Sequence, residues 1–444
     1  MKQQDVLKTE KEVLAPAVRI PYFDIVIERG QGAILTDLDG KDYIDLLASA
    51  SSTNTGHSHP HVVEAICAQA KKLIQYTPTY FANGPAAQLA QRLAQLAPIS
   101  GPVQVGWGNS GSDANDAIIK YARAYTKRQY IVSFTGAYHG STYGSISISS
   151  VSLNMSRKIG PLLPGIVKAP YPDISQKPAA ESLTDFIERQ WQAFLLPFST
   201  YLPVEEVAAI IIEPIQGDGG IVKAPTEYLR RLRQFALEHG IVFAIDEVNQ
   251  GMGRTGKWWS IQQFDLEPDL MSVGKSLASG LPLSAIIGRT PIMQSLQAPA
   301  NTYTTAGNPV TTAAANATID VLENEHLLQR SQQLGLQAQA FFTKMQQQFD
   351  FIGGVRFYGL DGGIDIVDAA TGKPDPQMTT KLIYRMFELG VLIISLRGYT
   401  LRFQPPLVIS SEQLQQVFAK FEQAFAELAA GKLKLPANAE QIGW

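Results

Sequence analysis

At 444 residues the chain is too long for one small domain and is expected to form a large domain with smaller ones packed on it. Its 37 basic and 40 acidic residues leave a net charge of -3, which gives no electrostatic case for nucleic acid or an anionic membrane as a partner. A hydrophobic content of 45% with 17% charged residues suits a soluble globular enzyme, and no apolar run is long enough to span a bilayer.

The N-terminal MKQQDVLKTEKEVLAP is polar and lacks an apolar signal core, so a cytoplasmic address is expected. Residues 1–60 read as an arm with a small antiparallel sheet, in which 33–36 and 43–46 flank the hairpin signal Asp39-Gly40. In Gly56-His57-Ser58-His59-Pro60-His61 three histidines alternate. Gly56 and Pro60 make this a turn rather than a metal-ligating strand, and no metal is expected. Cys67 is the only cysteine, which excludes an intrachain disulfide; its apolar neighbours predict a buried thiol.

Between residues 103 and 123 the turn Asn109-Ser110-Gly111-Ser112 opens a helical pattern that sets Ala114, Ala117, Ile118 and Tyr121 on one side. Such a turn is an N-cap, and it also presents N–H groups and the positive end of the dipole to an anion such as a phosphate. A short apolar strand at 131–134 leads into Thr135-Gly136-Ala137-Tyr138-His139-Gly140-Ser141, where Tyr138 taken alone reads as a core aromatic. The stretch 155–203 is uninformative about chemistry. An apolar strand at 208–212 then ends in Glu213-Pro214-Ile215-Gln216-Gly217-Asp218-Gly219-Gly220, in which Asp218 reads as a turn former.

Two further apolar runs, 241–245 and 270–273, each deliver one charged residue at the carboxyl end, Asp246 and, after Gly274, Lys275. Both read as buried parallel strands, and ligands of open α/β sheets bind beyond such ends, so the two should face one crevice. An acid and an amine brought together there suggest pyridoxal phosphate, with Lys275 holding the cofactor as a Schiff base and Asp246 partnering the pyridine nitrogen. Gly251-x-Gly253-x-x-Gly256 formally matches a dinucleotide fingerprint, but it lies five residues beyond Asp246 and is followed by Lys257-Trp258-Trp259 rather than an amphipathic helix.

The ordered set Asp246-Glu247-Val248, Gly251-x-Gly253-Arg254-Thr255-Gly256, Gly274-Lys275-Ser276 and Leu281-Pro282-Leu283-Ser284 resembles the class III, fold-type I aminotransferases, the family of 4-aminobutyrate and ornithine aminotransferases. The likeness runs from about Gly32 to about Ile409. It implies an α/β fold: a mostly parallel central sheet with helices on both faces, plus a small α+β domain built from the two termini. The expected layout is residues 1–60 as arm and small sheet, 61–309 as the large cofactor domain, and 310–444 as a linking helix and C-terminal α+β domain.

The resemblance also assigns roles. It implies pyridoxal 5'-phosphate as cofactor, with its phosphate at Ser110, Gly111 and Ser112, where Asp113 replaces the family's Glu. Tyr138 stacks on the ring beside His139, Asn249 bonds the phenolic oxygen in place of the usual Gln, and Arg402 in Leu401-Arg402-Phe403-Gln404-Pro405-Pro406 takes the substrate α-carboxylate. Thr304 binds the phosphate of the neighbouring subunit, which implies a homodimer or a dimer of dimers.

Two departures matter. Ser141 stands where 4-aminobutyrate aminotransferases commonly carry an arginine for a distal carboxylate, and a serine cannot supply that fork. Asp218 replaces a Glu, as it does in the branch containing the α-amino-ε-caprolactam racemases and isoleucine 2-epimerases. The expected activity is therefore inversion at Cα of a neutral, apolar amino acid by two bases, Lys275 and Asp218; the alternative is a 4-aminobutyrate-type aminotransferase. In the C-terminal part, a helical pattern over 309–348, strands at 363–367, 391–395 and 401–403, and a last helix are expected. That helix is capped by Ser410 and Gln413 and buries Leu414, Val417, Phe418, Phe421, Phe425 and Leu428.

Overall fold

Strands β1 (Ile27–Gln31), β2 (Ile34–Asp37) and β3 (Asp42–Asp45) form an antiparallel ladder, and Gly40, at φ +84°, closes the β2–β3 hairpin in a conformation costly for any side chain. The protein is described by a computed structural model covering residues 2–20 and 22–435. It divides into a terminal unit, residues 1–60 and 329–444, and a central unit, residues 61–328.

The central unit contributes β4 (Val103–Gly108), β5 (Tyr130–Phe134), β6 (Ile166–Ala169) and β7 (Val207–Ile212), the short hairpin of β8 (Ile215–Gln216) and β9 (Val222–Lys223), then β10 (Val242–Asp246), β11 (Leu270–Val273) and β12 (Ser284–Arg289). Seven of these make one sheet in the order β4-β12-β11-β10-β7-β5-β6, with β12 antiparallel to both neighbours and the other pairs parallel. Every residue of β7, β10 and β11 is buried, as expected where both faces are covered.

On one face the helix Gly111–Thr126 packs Ala117, Ile118 and Tyr121 against Ile211, Ala244, Leu270 and Ile286. On the other, an aromatic cluster joins Phe134 and Tyr171 to Trp191 and Phe194 of the helix Leu183–Leu195 and to Tyr228 and Phe235 of the helix Thr226–Glu238. The stretch 155–203, opaque in the sequence, supplies the edge strand β6 and one of these covering helices.

The terminal unit adds β13 (Ile352–Phe357), β14 (Gly362–Ile366), β15 (Val391–Leu392), β16 (Ser395–Leu396) and β17 (Thr400–Phe403). The sheet β13-β14-β17-β16 is antiparallel, whereas β15 pairs parallel with β3. The single strand expected over 391–395 is thus two, because the chain leaves one sheet and enters another. The helical pattern of 309–348 is also two helices, Pro309–Asn324 and Leu327–Gln348, since His326 at φ +52° cannot continue the i→i−4 ladder.

Ser410 and Gln413 do form a capping box on the helix Ser411–Ala429, and all the expected apolar residues are buried except Leu428, which is half-buried in the last turn. Cys67 is exposed rather than buried, because the helix Pro60–Lys72 buries only Val62.

Phe342 anchors the core of the terminal unit: its ring lies 4.9 Å from Phe421, 5.7 Å from Phe357 and 5.7 Å from Phe403. Phe342→Ala is expected to cost about 3–5 kcal/mol, the loss of transfer energy plus the cavity left behind. A urea unfolding midpoint unchanged by the substitution would show that this ring is not an anchor.

Candidate active site

Parallel strands bring their carboxyl ends to one edge of the sheet, and in the central unit each of five delivers a functional segment there. β4 leads to Asn109-Ser110, β5 to Tyr138-His139, β7 to Glu213, β10 ends on Asp246, and β11 leads to Lys275. Asp246 lies opposite Ser272 in the ladder, so the acid and the amine leave adjacent strands. Lys275 is half-buried and holds φ at +46°, a left-handed conformation that costs a non-glycine residue about 1–3 kcal/mol. The helix start that follows β4 packs close: a Cβ on Gly111 would stand 2.7 Å from Val248 Cγ1, which only glycine avoids.

Asp246 is 3% exposed and held by three donors. Oδ2 accepts from Asn115 Nδ2 at 2.7 Å and from His139 Nδ1 at 2.8 Å, and Oδ1 accepts from the Val248 N–H at 2.9 Å. A carboxylate only accepts, so the hydrogen of the His139 bond sits on Nδ1. Asn115 Nδ2 also donates to the His139 carbonyl at 2.7 Å, tying helix, loop and strand end together. His139 Nε2 and Asn115 Oδ1 are buried without a protein partner.

Ser110 caps the helix Gly111–Thr126: its Oγ accepts from the Asp113 N–H, and Asp113 Oδ2 accepts from the N–H groups of Ser110 and Asn109. The first turn of this helix offers an anion backbone donors and the positive dipole end. Ser112 Oγ accepts from the Ser141 N–H at 3.0 Å, and a Cβ on Gly140 would stand 2.8 Å from Ser112 Cα, so the His139 loop lies directly on the helix start.

Glu213 clasps two loops, accepting from the Tyr138 N–H at 3.0 Å and the Gly217 N–H at 2.9 Å. Its carboxyl is pushed well above the usual range, by burial first and then by the charges of Asp246 and Asp218. The Tyr138 phenol is raised by burial and, more weakly, by Asp218 and Asp246, so both carboxylates act on the same ring. Asn249 is buried beside this loop, where a Cβ on Gly217 would stand 3.0 Å from Asn249 Cγ.

Ser141 is exposed, 3.3 Å from the Tyr138 hydroxyl, and Thr304 is exposed with its carbonyl accepting from Gln75 Nε2. Its neighbour Thr305 donates to Asn109 Oδ1 at 3.0 Å. The structure therefore gathers Ser110, Gly111, Ser112, Tyr138, His139, Asp218, Asp246, Asn249 and Lys275 at one edge of the central sheet. Arg402 belongs to the terminal unit, 2% exposed on β17. Asn115 and Glu213 had no role in the sequence reading. The signal for Asn115 was a polar residue at an apolar helical position, four residues after Gly111.

The glycine pattern at 251–256 serves packing: its loop folds back so that Glu247 accepts from the Ser260 N–H, the Ser260 hydroxyl and the Ile261 N–H, each at 2.9 Å. Burial outweighs these donors and raises Glu247 from its usual 4.5 to about 7. The folded state thus holds a proton that the unfolded chain has released. The stabilisation is complete below about 4.5 and is lost as pH rises through about 7. Glu247→Gln should lower the melting temperature but flatten its fall across that window; an unaltered slope would mean that Glu247 does not titrate there.

The profile of the aminotransferase class-III family matches residues 15–425. The chain is 55% identical over 445 aligned residues to an isoleucine 2-epimerase of Lentilactobacillus buchneri, covering 100% of this chain and 99% of the relative. It is 38% identical to a leucine/methionine racemase of Thermococcus litoralis, with 100% of each covered. Among solved structures, the omega transaminase of Pseudomonas jessenii in complex with PMP superposes with a TM-score of 0.87 at 26% identity, covering 96% of both chains.

The cofactor that goes with this family is pyridoxal 5'-phosphate, and the residues at the sheet edge fit it: a buried, three-donor carboxylate, an amine from the adjacent strand, and a helix start for a phosphate. By that profile, by identity along its whole length and by fold, the chain belongs to the class-III aminotransferase family of pyridoxal-phosphate enzymes.

Proposed function

We propose that this protein is an amino-acid epimerase that inverts Cα of a neutral, apolar amino acid, isoleucine among its substrates. The observation that carries this is the 55% identity, over the full length, to an isoleucine 2-epimerase. The chemistry of the site agrees with it. Ser141 offers no positive charge for a second carboxylate, and Asp218 stands buried directly after Gly217, acting on the same Tyr138 ring as Asp246.

Pyridoxal phosphate, when bound, withdraws electrons from the substrate's Cα and so acidifies its proton. Lys275 would hold the cofactor through Nζ, and its amine would take the Cα proton from one face. Asp218 returns a proton to Cα from the other face, and in the reverse direction the two exchange roles. One proton leaves and one arrives, so no keto acid and no second substrate are needed.

Asp246 would pair with the pyridine nitrogen, and Asn115 and His139 hold Asp246 in place. Ser110, Gly111 and Ser112 would receive the phosphate at the helix start, Tyr138 would stack on the ring, and Asn249 would bond the phenolic oxygen. Arg402 takes the substrate's α-carboxylate.

The active unit in this reading is a homodimer or a dimer of dimers in the cytoplasm, with Thr304 serving the neighbouring subunit's phosphate. An exposed apolar segment containing Leu73, Ile74, Tyr76, Tyr80 and Phe81 supports a covered face. Among the described residues no helix is long and apolar enough to cross a membrane.

The test is incubation of the holoenzyme with L-isoleucine in deuterated water without any keto acid. D-allo-isoleucine carrying deuterium at Cα is the expected product; keto acid formed only when an amino acceptor is supplied would replace this reading with an aminotransferase. Asp218→Asn should slow inversion about 10²–10⁴-fold while Lys275 still exchanges the Cα proton of one enantiomer. Undiminished inversion in that variant would remove Asp218 as the second base.

A further inference from the structure

We infer that Gln404 and Asp361 are positioning residues that aim the Arg402 guanidinium at the substrate's α-carboxylate. The inference rests on the assignment of Arg402 made above. All three side chains are buried in the terminal unit, with Arg402 2% exposed and Gln404 and Asp361 0% exposed. Arg402 lies on β17 directly opposite Gly363 of β14, a residue with no side chain to compete for the space across the ladder. Gln404 is two residues further on, and its backbone N–H is anchored to the Leu46 carbonyl at 2.8 Å. Asp361 sits in the β13–β14 turn, where its carbonyl accepts from the Tyr358 N–H at 3.0 Å.

The hydrogen bonds between them allow one polarity. Arg402 Nε donates to Gln404 Oε1 at 2.5 Å, and Gln404 Nε2 donates to Asp361 Oδ1. A guanidinium can only donate and an ionised carboxylate can only accept, so Asp361 fixes which way the Gln404 amide points, and the amide oxygen then fixes the guanidinium plane. With Nε committed to Gln404, a two-oxygen grip on a carboxylate is confined to the Nη1/Nη2 end.

The choice of an amide has a further consequence. A glutamate at 404 would pair directly with Arg402, competing with the substrate for its charge, and would face Asp361 as a like charge. An aliphatic residue would leave a buried, charged N–H without its acceptor. Glutamine supplies the hydrogen bond without the charge, and Asp361 exerts its control from one side chain away.

The test uses the holoenzyme and two probes of one shape, 3-methylpentanoate, which carries the carboxylate, and 3-methylpentanamide, which does not. Binding is measured by calorimetry and turnover with L-isoleucine in parallel. In Gln404→Leu the Kd of the acid and the KM of L-isoleucine should rise about 10- to 100-fold, with kcat changed by less than about threefold and the Kd of the amide unchanged. Asp361→Asn, which keeps size but lets the amide of Gln404 turn either way, should raise the same two constants by a smaller factor at an unchanged melting temperature. It tests the inference even if Gln404→Leu does not fold.

Equal losses for acid and amide, or a fall in kcat alone, would mark the trio as scaffolding and overturn the inference. So would unchanged acid binding in a folded Asp361→Asn. Arg402→Lys separates the two levels of the argument. If it leaves acid binding intact, the assignment of Arg402 fails; if it weakens acid binding while Gln404→Leu does not, only the role of Gln404 fails.

Discussion

The grip of Asn115 and His139 on the Asp246 carboxylate is the contact on which the rest of the central site depends. It joins a strand end, a helix interior and a strand-end loop through side chains that are each less than a tenth exposed. Bonds to an ionised group are about twice as strong as those between neutral groups, and in a buried site there is no water to replace them. The position of β10's last residue therefore sets the position of the His139 loop. That loop, through Ser141 and Ser112, sits on the start of the helix from which Asn115 itself projects. The network closes on itself.

Four carboxyl groups are concentrated here. Glu213, Asp218, Asp246 and Glu247 are all buried at or just beyond the carboxyl ends of β7 and β10. Like charges this close cannot all ionise without cost, and Glu213 and Glu247 are both driven upward, chiefly by burial and in part by Asp246. The division of labour follows from what each carboxylate touches. Glu213 and Glu247 accept backbone N–H groups and brace loops, while Asp246 is fixed by side chains from two other elements. Asp218, the second base of the proposed epimerisation, directly follows Gly217, whose N–H Glu213 holds.

The terminal unit solves a similar problem with the opposite charge. Arg402 is almost fully buried, which is costly for a cation unless its donors are met. Gln404, itself oriented by Asp361, meets one of them in a fixed direction. In both units a buried charged side chain is held in a fixed direction by side chains hydrogen-bonded to it.

Several parts were legible because their causes are local. The hairpin at Asp39-Gly40, the capping boxes at Ser110 and Ser410, and the apolar runs ending at Asp246 and Lys275 each depend on residues within a few positions of one another. Their order along the chain was enough for the family and, through Ser141 and Asp218, for the expected reaction. Periodicity failed at His326, whose positive φ breaks the helical run of 309–348, and where non-local pairing decided: residues 391–395 divide between two sheets. The same limit explains β6, whose pairing with β5 makes it a strand, and Cys67, whose exposure depends on which helix face meets the core.

By itself, then, the sequence determined the family and which charged residues stand at which strand ends, because turn, cap and strand preferences act over a few residues. Only the tertiary structure decided how they are held. Asn115 reaches Asp246 across 131 residues of sequence and Gln404 reaches Asp361 across 43, and hydrogen bonds over such separations leave no periodic trace in the chain.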